Sequence, residues 1–572
     1  MSRKIRITTA IILSAALLAG CSNISIGVND TESTDYVHHS IEEKTVPLYM
    51  GDANSKEEIT LYYVDGSTVP YISIEKVLDF LQNMQDKDTY ELGYDGEHAI
   101  FTRTGTKLTC DFDFENDTIT FFDFDAFLKR DAGPIVNVGI PNDGAAEALF
   151  KEVKAFSLDR YGKVMTFDLK PYEIDMVHEG DGYYVPLQTI SDLILTYNVD
   201  FTLCNGEAVF YVPGALDDEL AKLYYSACGT RTEEFAKFDY NELCFALDNV
   251  YGLKEIHNIT DFDEFFYECG IRNKLMGTDQ TEADIALKEF IDYQIDDLHS
   301  GFNNRSYMSD EDTFYAVADE IIGPWEYRFD HYSKDFRNAR DKAFPDGVPP
   351  YEEVGDTAYI SFDHFTHPTD NIDYMSEPKE DELYDTIRLM QYSRDKILRH
   401  DSPVKNVVMD LSLNTGGAAE TAAYVIAFYL GLGDLSVVNT MTGAAGVAAY
   451  QIDTNRDGEF TAEDHLSLKD LNLYCLISPF SFSSGNLVPN AFMMSPRVNL
   501  IGMTSGGGSC GVHPMSTAGG SIIKLSGYRR ISIFKNGSFY DIDRGATPDF
   551  KIAKIADYYD RKALTEYIDD LF

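Results

Sequence analysis

Four serines fall within the nine residues of SPFSFSSGN, Ser478 to Asn486. The stretch follows the apolar run LYCLI and precedes LVPNAFMM, so a strand breaks into a turn and continues as a helix. A serine in that turn stands at a helix N-terminus, where free N–H groups and the helix dipole stabilise an alkoxide or oxyanion. A second strand end, VVMDLSLNTGGAAE, delivers Asn414, Thr415, Gly416 and Gly417. Paired glycines let a backbone approach a substrate and aim N–H groups at it. Each stretch alone also suits a helix cap or a tight turn.

A third constellation stands apart. DTNRDGEFTAED carries oxygen ligands at Asp453, Asn455, Asp457, Thr461 and Asp464, with the Glu459 carbonyl at the seventh place and Gly458 at the sixth. This is the spacing of an EF-hand calcium loop, with Asp where Glu usually supplies two oxygens at the twelfth place. A structural calcium ion is expected there. No motif for an organic cofactor is present.

The elements that hold these residues change character along the chain. Residues 46–215 read as a strand-rich α+β domain with a weak internal repeat, YYVDGSTVPYISIEKVLDFL against DGYYVPLQTISDLIL. Residues 216–305 place apolar side chains at helical spacing, as in NELCFALDNVYGL and EADIALKEFIDYQIDDL. Residues 306–572 include repeated strand–helix units from TAYISF onward, which argue for a parallel sheet covered by helices. Sites in such sheets gather at the carboxyl ends of the strands, where both glycine- and serine-rich turns fall.

The chain has 572 residues and a formal net charge of −48, which excludes nucleic acid as a partner because nothing would neutralise phosphates. MSRKIR and ITTAIILSAALLAG form the basic and apolar regions of a signal peptide, residues 1–20. LAGC then resembles a bacterial lipobox that would leave a lipidated Cys21, followed by a polar tether to about residue 45. An exported protein held by lipid on the outer face of the bacterial membrane is expected. The seven remaining cysteines are odd in number, contain no CxxC and read mostly as buried thiols.

Taken together, the motifs resemble peptidase family S41, the C-terminal processing and tricorn-core serine peptidases. DLSLNTGG looks like DLRxNxGG, and SFSSGNLVPNAF aligns with TASAAEIFAGAL, which places Ser483 on the nucleophile. VNLIGMTSGGGS, DRGATPDF, VGDTAYISFDHF and IDDLHSGF resemble four further family segments, all in the family's order. The resemblance implies an α/β catalytic domain of the S41 (ClpP/crotonase-like) type, preceded by a helical subdomain and the N-terminal α+β repeat domain. It implies a protein or peptide substrate and an acyl-enzyme on Ser483. Gly507 stands where many members carry a lysine base, so the histidine branch fits better, with His299 as base and His513 as runner-up. Asp541 or Asp543 would be its acid, and the N–H groups of Ser484 and of Gly416 or Gly417 would hold the oxyanion. The rival expectation is an inactive member that binds peptides or glycans, since Asn486 replaces a frequent Glu and the acid is altered.

Overall fold

The computed structural model describes residues 38–85, 89–129, 146–157, 163–295 and 297–571. The signal peptide, Cys21 and most of the tether lie outside the described residues. Among the described residues no helix is long and apolar enough to cross a membrane.

The carboxyl-terminal part is built on a six-stranded sheet in the order Tyr351–Val354, Thr357–Ser361, Asn406–Asp410, Asn472–Ile477, Val498–Gly502 and Phe550–Lys551. The first pair is antiparallel and every other pair is parallel. Parallel strands are covered on both faces, which is why they read as continuous apolar runs. Alternation divides the side chains: Val407 and Met409 pack with the helix Ala419–Leu430 on one face, while Val408 meets Phe336 and Tyr558 on the other. Asp410, Ile477 and Gly502 end at one level, so the turns that follow them converge.

A second sheet stands beside it, in the order Gly301–Asn304, Ile522–Ser532, Gly433–Asn439, Ala445–Ile452 and Phe150–Ser157, with Cys510–Ser516 also paired to Ile522–Ser532. Its last strand comes from the region read as N-terminal. FKEVKAFS is polar and gives little strand signal, but it pairs antiparallel with Ala445–Ile452. The boundary at 215 is therefore crossed by the chain, and residues 40–572 pack as one unit.

The internal repeat appears as a paired motif. The strands Tyr71–Ser73 and Gly182–Pro186 lie antiparallel, Ile72 opposite Val185, and each runs directly into a helix, Ile74–Asn83 and Leu187–Leu193. The second helix locks this region to its neighbours. Gln188 donates to the Ser516 carbonyl at 2.9 Å, and Thr189 donates to Glu242 of the helix Glu233–Val250. Helices fill residues 218–288 as expected, and a π-helix, Glu289–Ile295, leads to His299. The polar stretch from 303 to 350 holds two more helices, Glu311–Ala318 and Pro324–Ala343.

The described cysteines are all unpaired; Cys110, Cys244, Cys475 and Cys510 are buried, Cys204 and Cys269 partly so, and Cys228 is exposed.

Candidate active site

Ser483 occupies a strained position. Its φ of 54° and ψ of −123° lie where non-glycine residues rarely go, and it caps the helix Ser484–Phe492 without a side-chain capping bond. Such strain persists only where the surroundings fix it, and it clusters at functional sites. Here the Ser483 N–H donates to the Gly507 carbonyl at 2.9 Å, and its own carbonyl accepts from Asn486 and Leu487, both at 2.8 Å.

The hydroxyls of the turn separate one serine from the other three. Ser478 donates to the Ser412 carbonyl at 2.5 Å, Ser481 to the Leu411 carbonyl at 2.7 Å and Ser484 to the Gly417 carbonyl at 2.7 Å. These three tie the turn to the neighbouring strand end. The Ser483 hydroxyl has no partner among the described residues, and Ser483 is only partly buried while Ser481 and Ser484 are buried.

Ser483 opens into a cleft of about 470 Å³ lined also by Leu298, His299, Thr415, Gly417, Ser509 and Lys524. His299 is buried and its ring lies 4.7 Å from that of Phe482. Burial pushes its imidazole down to about 4, with Asp297 opposing and Lys524 adding to the shift. The ring is neutral at pH 7, as a base must be. Its turn is held by Asp297, which accepts from the His299 N–H at 3.1 Å, the Ser300 N–H at 2.9 Å and the Tyr251 hydroxyl at 2.9 Å. No hydrogen bond joins the ring to Ser483. Free enzymes often show loose catalytic hydrogen bonds that tighten with substrate.

Two expectations are corrected. Asp541 and Asp543 do not orient the imidazole: both pair with Arg530, and Asp543 also accepts from the Ser509 N–H at 2.9 Å and hydroxyl at 2.7 Å. Their oxygens serve that cation and the glycine loop. Gly416 is not an oxyanion donor, because its N–H is spent on the Asn414 side chain at 3.0 Å. The N–H groups of Gly417 and Ser484 have no partner among the described residues, and both residues line the cleft. Gly417 has a φ of +129°, and a Cβ there would come within 2.2 Å of the Phe365 carbonyl oxygen.

His513, the runner-up base, stands apart from Ser483 and His299. It lies outside the cleft, its Nε2 is buried without a partner, and burial pushes its ring down to about 3. Asn486, in place of a carboxylate, donates to the Ile542 carbonyl at 2.9 Å and accepts from Ser505 at 2.7 Å, fastening the helix to the loop that carries Asp541 and Asp543. Lys524 was not expected at the site, and its alternation on SIIKLSG gives no hint of it.

The loop from Asp453 to Asp464 follows the strand Ala445–Ile452 and is not flanked by an EF-hand helix pair. Asp453 accepts from the N–H groups of Arg456 at 2.6 Å and Gly458 at 2.8 Å, while Asp464 accepts from Thr454 at 3.0 Å and Thr461 at 2.8 Å. Asn455 and Asp457 accept from Asp457 and Glu459 respectively. The oxygens face inward onto loop amides, and among the described residues no three His, Cys, Asp or Glu side chains gather as a metal cluster.

Residues 356–552 match the family model described as peptidase family S41. No curated protein matches the chain. Among solved structures, a photosystem II D1 C-terminal processing protease shares 18% identity over 34% of this chain and 42% of its own, with a TM-score of 0.25. A putative peptidase from Parabacteroides merdae shares 14% identity over 59% of this chain and 96% of its own, TM-score 0.39. A lipoprotein from Streptococcus agalactiae shares 14% over the same shares of the two chains, TM-score 0.32. The fold reading rests on the family match and the strand order rather than on these likenesses.

Proposed function

We propose that this chain, whose residues 356–552 match the model of peptidase family S41, is a surface-anchored serine endopeptidase acting through an acyl-enzyme on Ser483. The observation that carries this is the strained Ser483, whose hydroxyl alone among the four in its turn is uncommitted and faces a cleft. His299 takes the hydroxyl proton as Oγ attacks the peptide carbonyl, and later returns it to the leaving amine. The N–H groups of Gly417 and Ser484 receive the oxyanion. Asp297 fixes the His299 backbone, and its charge favours the protonated ring.

The experiment is digestion of a denatured protein by wild type beside Ser483→Ala. Cleavage by wild type only supports the reading. An inactive fold that binds peptides or glycans is favoured by one observation, the His299 ring without a hydrogen-bonded acid, and substrate left intact by folded wild type would select it.

Anchoring at Cys21 is proposed from LAGC alone. Mass spectrometry of the amino-terminal peptide from membrane extracts tests it: a diacylglycerol-modified cysteine supports the anchor, and an unmodified Met1 contradicts it. Calcium in the loop Asp453–Asp464 is likewise proposed from ligand spacing, with Asp453, Asn455, Asp457, Thr461, Asp464 and the Glu459 carbonyl as ligands. Its role would be to brace the segment between the glycine turn and the strand that carries the nucleophile.

A further inference from the structure

Lys524 lies on the strand Ile522–Ser532, opposite Gly301 on one side and Pro514 on the other. The absence of a side chain at Gly301 makes room for it: a Cβ there would meet the Lys524 Cε at 2.8 Å and lie 3.8 Å from Nζ. The side chain is partly buried and lines the same cleft as Ser483 and His299. Among the described residues no Asp or Glu lines that cleft, and Lys524 forms no ion pair with any of them. That is notable in a chain with 95 acidic and 47 basic side chains, where an acid is easily found for most cations. A partly desolvated ammonium without a counter-ion is costly, and the cost is relieved when a ligand brings the missing anion.

We propose that Lys524 recognises a carboxylate side chain of the substrate beside the scissile bond, so that the enzyme selects peptides with Asp or Glu there. Apart from His299, the other described residues of the cleft present hydroxyls, a thiol, backbone and apolar side chains, and Lys524 is the single Lys or Arg among them. An ammonium offers three donors on a flexible stem and tolerates either acidic residue. A general-base role for Lys524 is the competing assignment. Neither Nζ nor the His299 ring is hydrogen-bonded to Ser483 among the described residues, so the turnover of Lys524→Met is what separates the two roles. The inference rests on the peptidase reading, so binding is measured separately from turnover.

The test uses the full chain and paired fluorescent peptides that differ only in Glu or Gln at the central position. In a Ser483→Ala background, fluorescence anisotropy should show the Glu peptide binding about tenfold tighter, the size expected of one hydrogen bond to a charged group. Adding Lys524→Met should erase the difference, and Lys524→Glu should make a matched Lys peptide the tightest. With Ser483 present, the same preference should appear in kcat/KM, mainly through KM, and Lys524→Met should bring the Glu and Gln peptides to the same value. Equal binding of the two peptides, or a preference that survives Lys524→Met, overturns the proposal. So does Lys524→Met abolishing turnover of both peptides while the melting temperature holds, which would place Lys524 in proton transfer. If wild type cleaves neither peptide but Ser483→Ala still prefers Glu, the peptidase reading fails and the charge selection stands.

Discussion

Gly416 lies against Ser483: a Cβ on Gly416 would come within 2.6 Å of the Ser483 Cβ and 3.1 Å of its Oγ. The first glycine of the pair thus sets the floor on which the Ser483 side chain rests, and the N–H of the second, Gly417, has no partner among the described residues. Gly416 also has a φ of +110°, which an alanine adopts only under strain. Gly416→Ala should therefore push Ser483 out of line. Displacement of a reacting group by about 1 Å costs about a hundredfold in rate, and strained backbone about 1–3 kcal/mol in stability. Measured kcat/KM and thermal melting should both fall. Full activity in Gly416→Ala would mean that Ser483 is not held against this glycine.

The His299 ring, held down to about 4 by burial, predicts the pH profile. The base must be neutral, so activity should climb through an apparent pKa well below the ordinary 6.5 and be flat from about pH 5 upward. Replacing Asp297 by Asn removes the opposing anion and should move the limb lower; Lys524→Met should move it higher. The same shift acts on stability. Below its ordinary pKa the unfolded chain protonates this histidine while the folded one resists, so the contribution is full above 6.5 and is lost progressively as pH falls toward 4. A rate limb at pH 6.5 or above, unmoved by Lys524→Met, would contradict this account of the ring.

Glu242 makes the opposite prediction. It is buried between the helix of the second repeat and the helical subdomain, accepts from Thr189 and leaves its other oxygen without a partner. Burial pushes its carboxyl up to about 8, with Thr189 opposing and Asp239 adding. The folded pKa is raised, so its contribution is full below 4.5 and is lost as pH rises through about 8. Glu242→Gln should melt higher than wild type at pH 8–9 and flatten the alkaline fall, as followed by circular dichroism. An unchanged alkaline slope would mean that Glu242 is not the group responsible.

Calcium is tested by stability. Excess calcium should raise the melting temperature of wild type, and chelator should reverse the gain. Asp453→Ala/Asp457→Ala should abolish the response. If the double variant and wild type respond alike, or neither responds, the loop is a self-capped turn without metal.

Much of the site was legible in the sequence because it lies on apolar strands that end in Ser, Gly and Asn. The runs NVVMD and LYCLI announce buried parallel strands, and the residues just beyond them fall at the converging ends. The choice of Ser483 among four serines was not a matter of pattern. It followed from a family alignment; the structure adds that the hydroxyls of Ser478, Ser481 and Ser484 are tied to carbonyls about 70 residues away in the chain, partners that no local pattern reveals. Asp541 and Asp543 misled because Arg530, which claims both, sits on the strand Ile522–Ser532, ahead of the loop that carries them. The helix Pro324–Ala343 was hard to read because it buries little beyond Ser333 and Phe336 and is polar elsewhere. Lys524 was set aside because it lies in a later strand than Gly507, the place of the family's lysine; its pairing opposite Gly301 and its place in the cleft are long-range features.

Covalent labelling decides whether Ser483 is the nucleophile. Wild type treated with a fluorophosphonate serine probe should carry one adduct, located by peptide mass spectrometry on Ser483 and absent from Ser483→Ala. His299→Ala should label slower by on the order of 10² to 10⁴, the usual contribution of a general base, while keeping its melting profile. An adduct on Ser481 or Ser484, or a folded wild type that takes up no probe, would contradict the account.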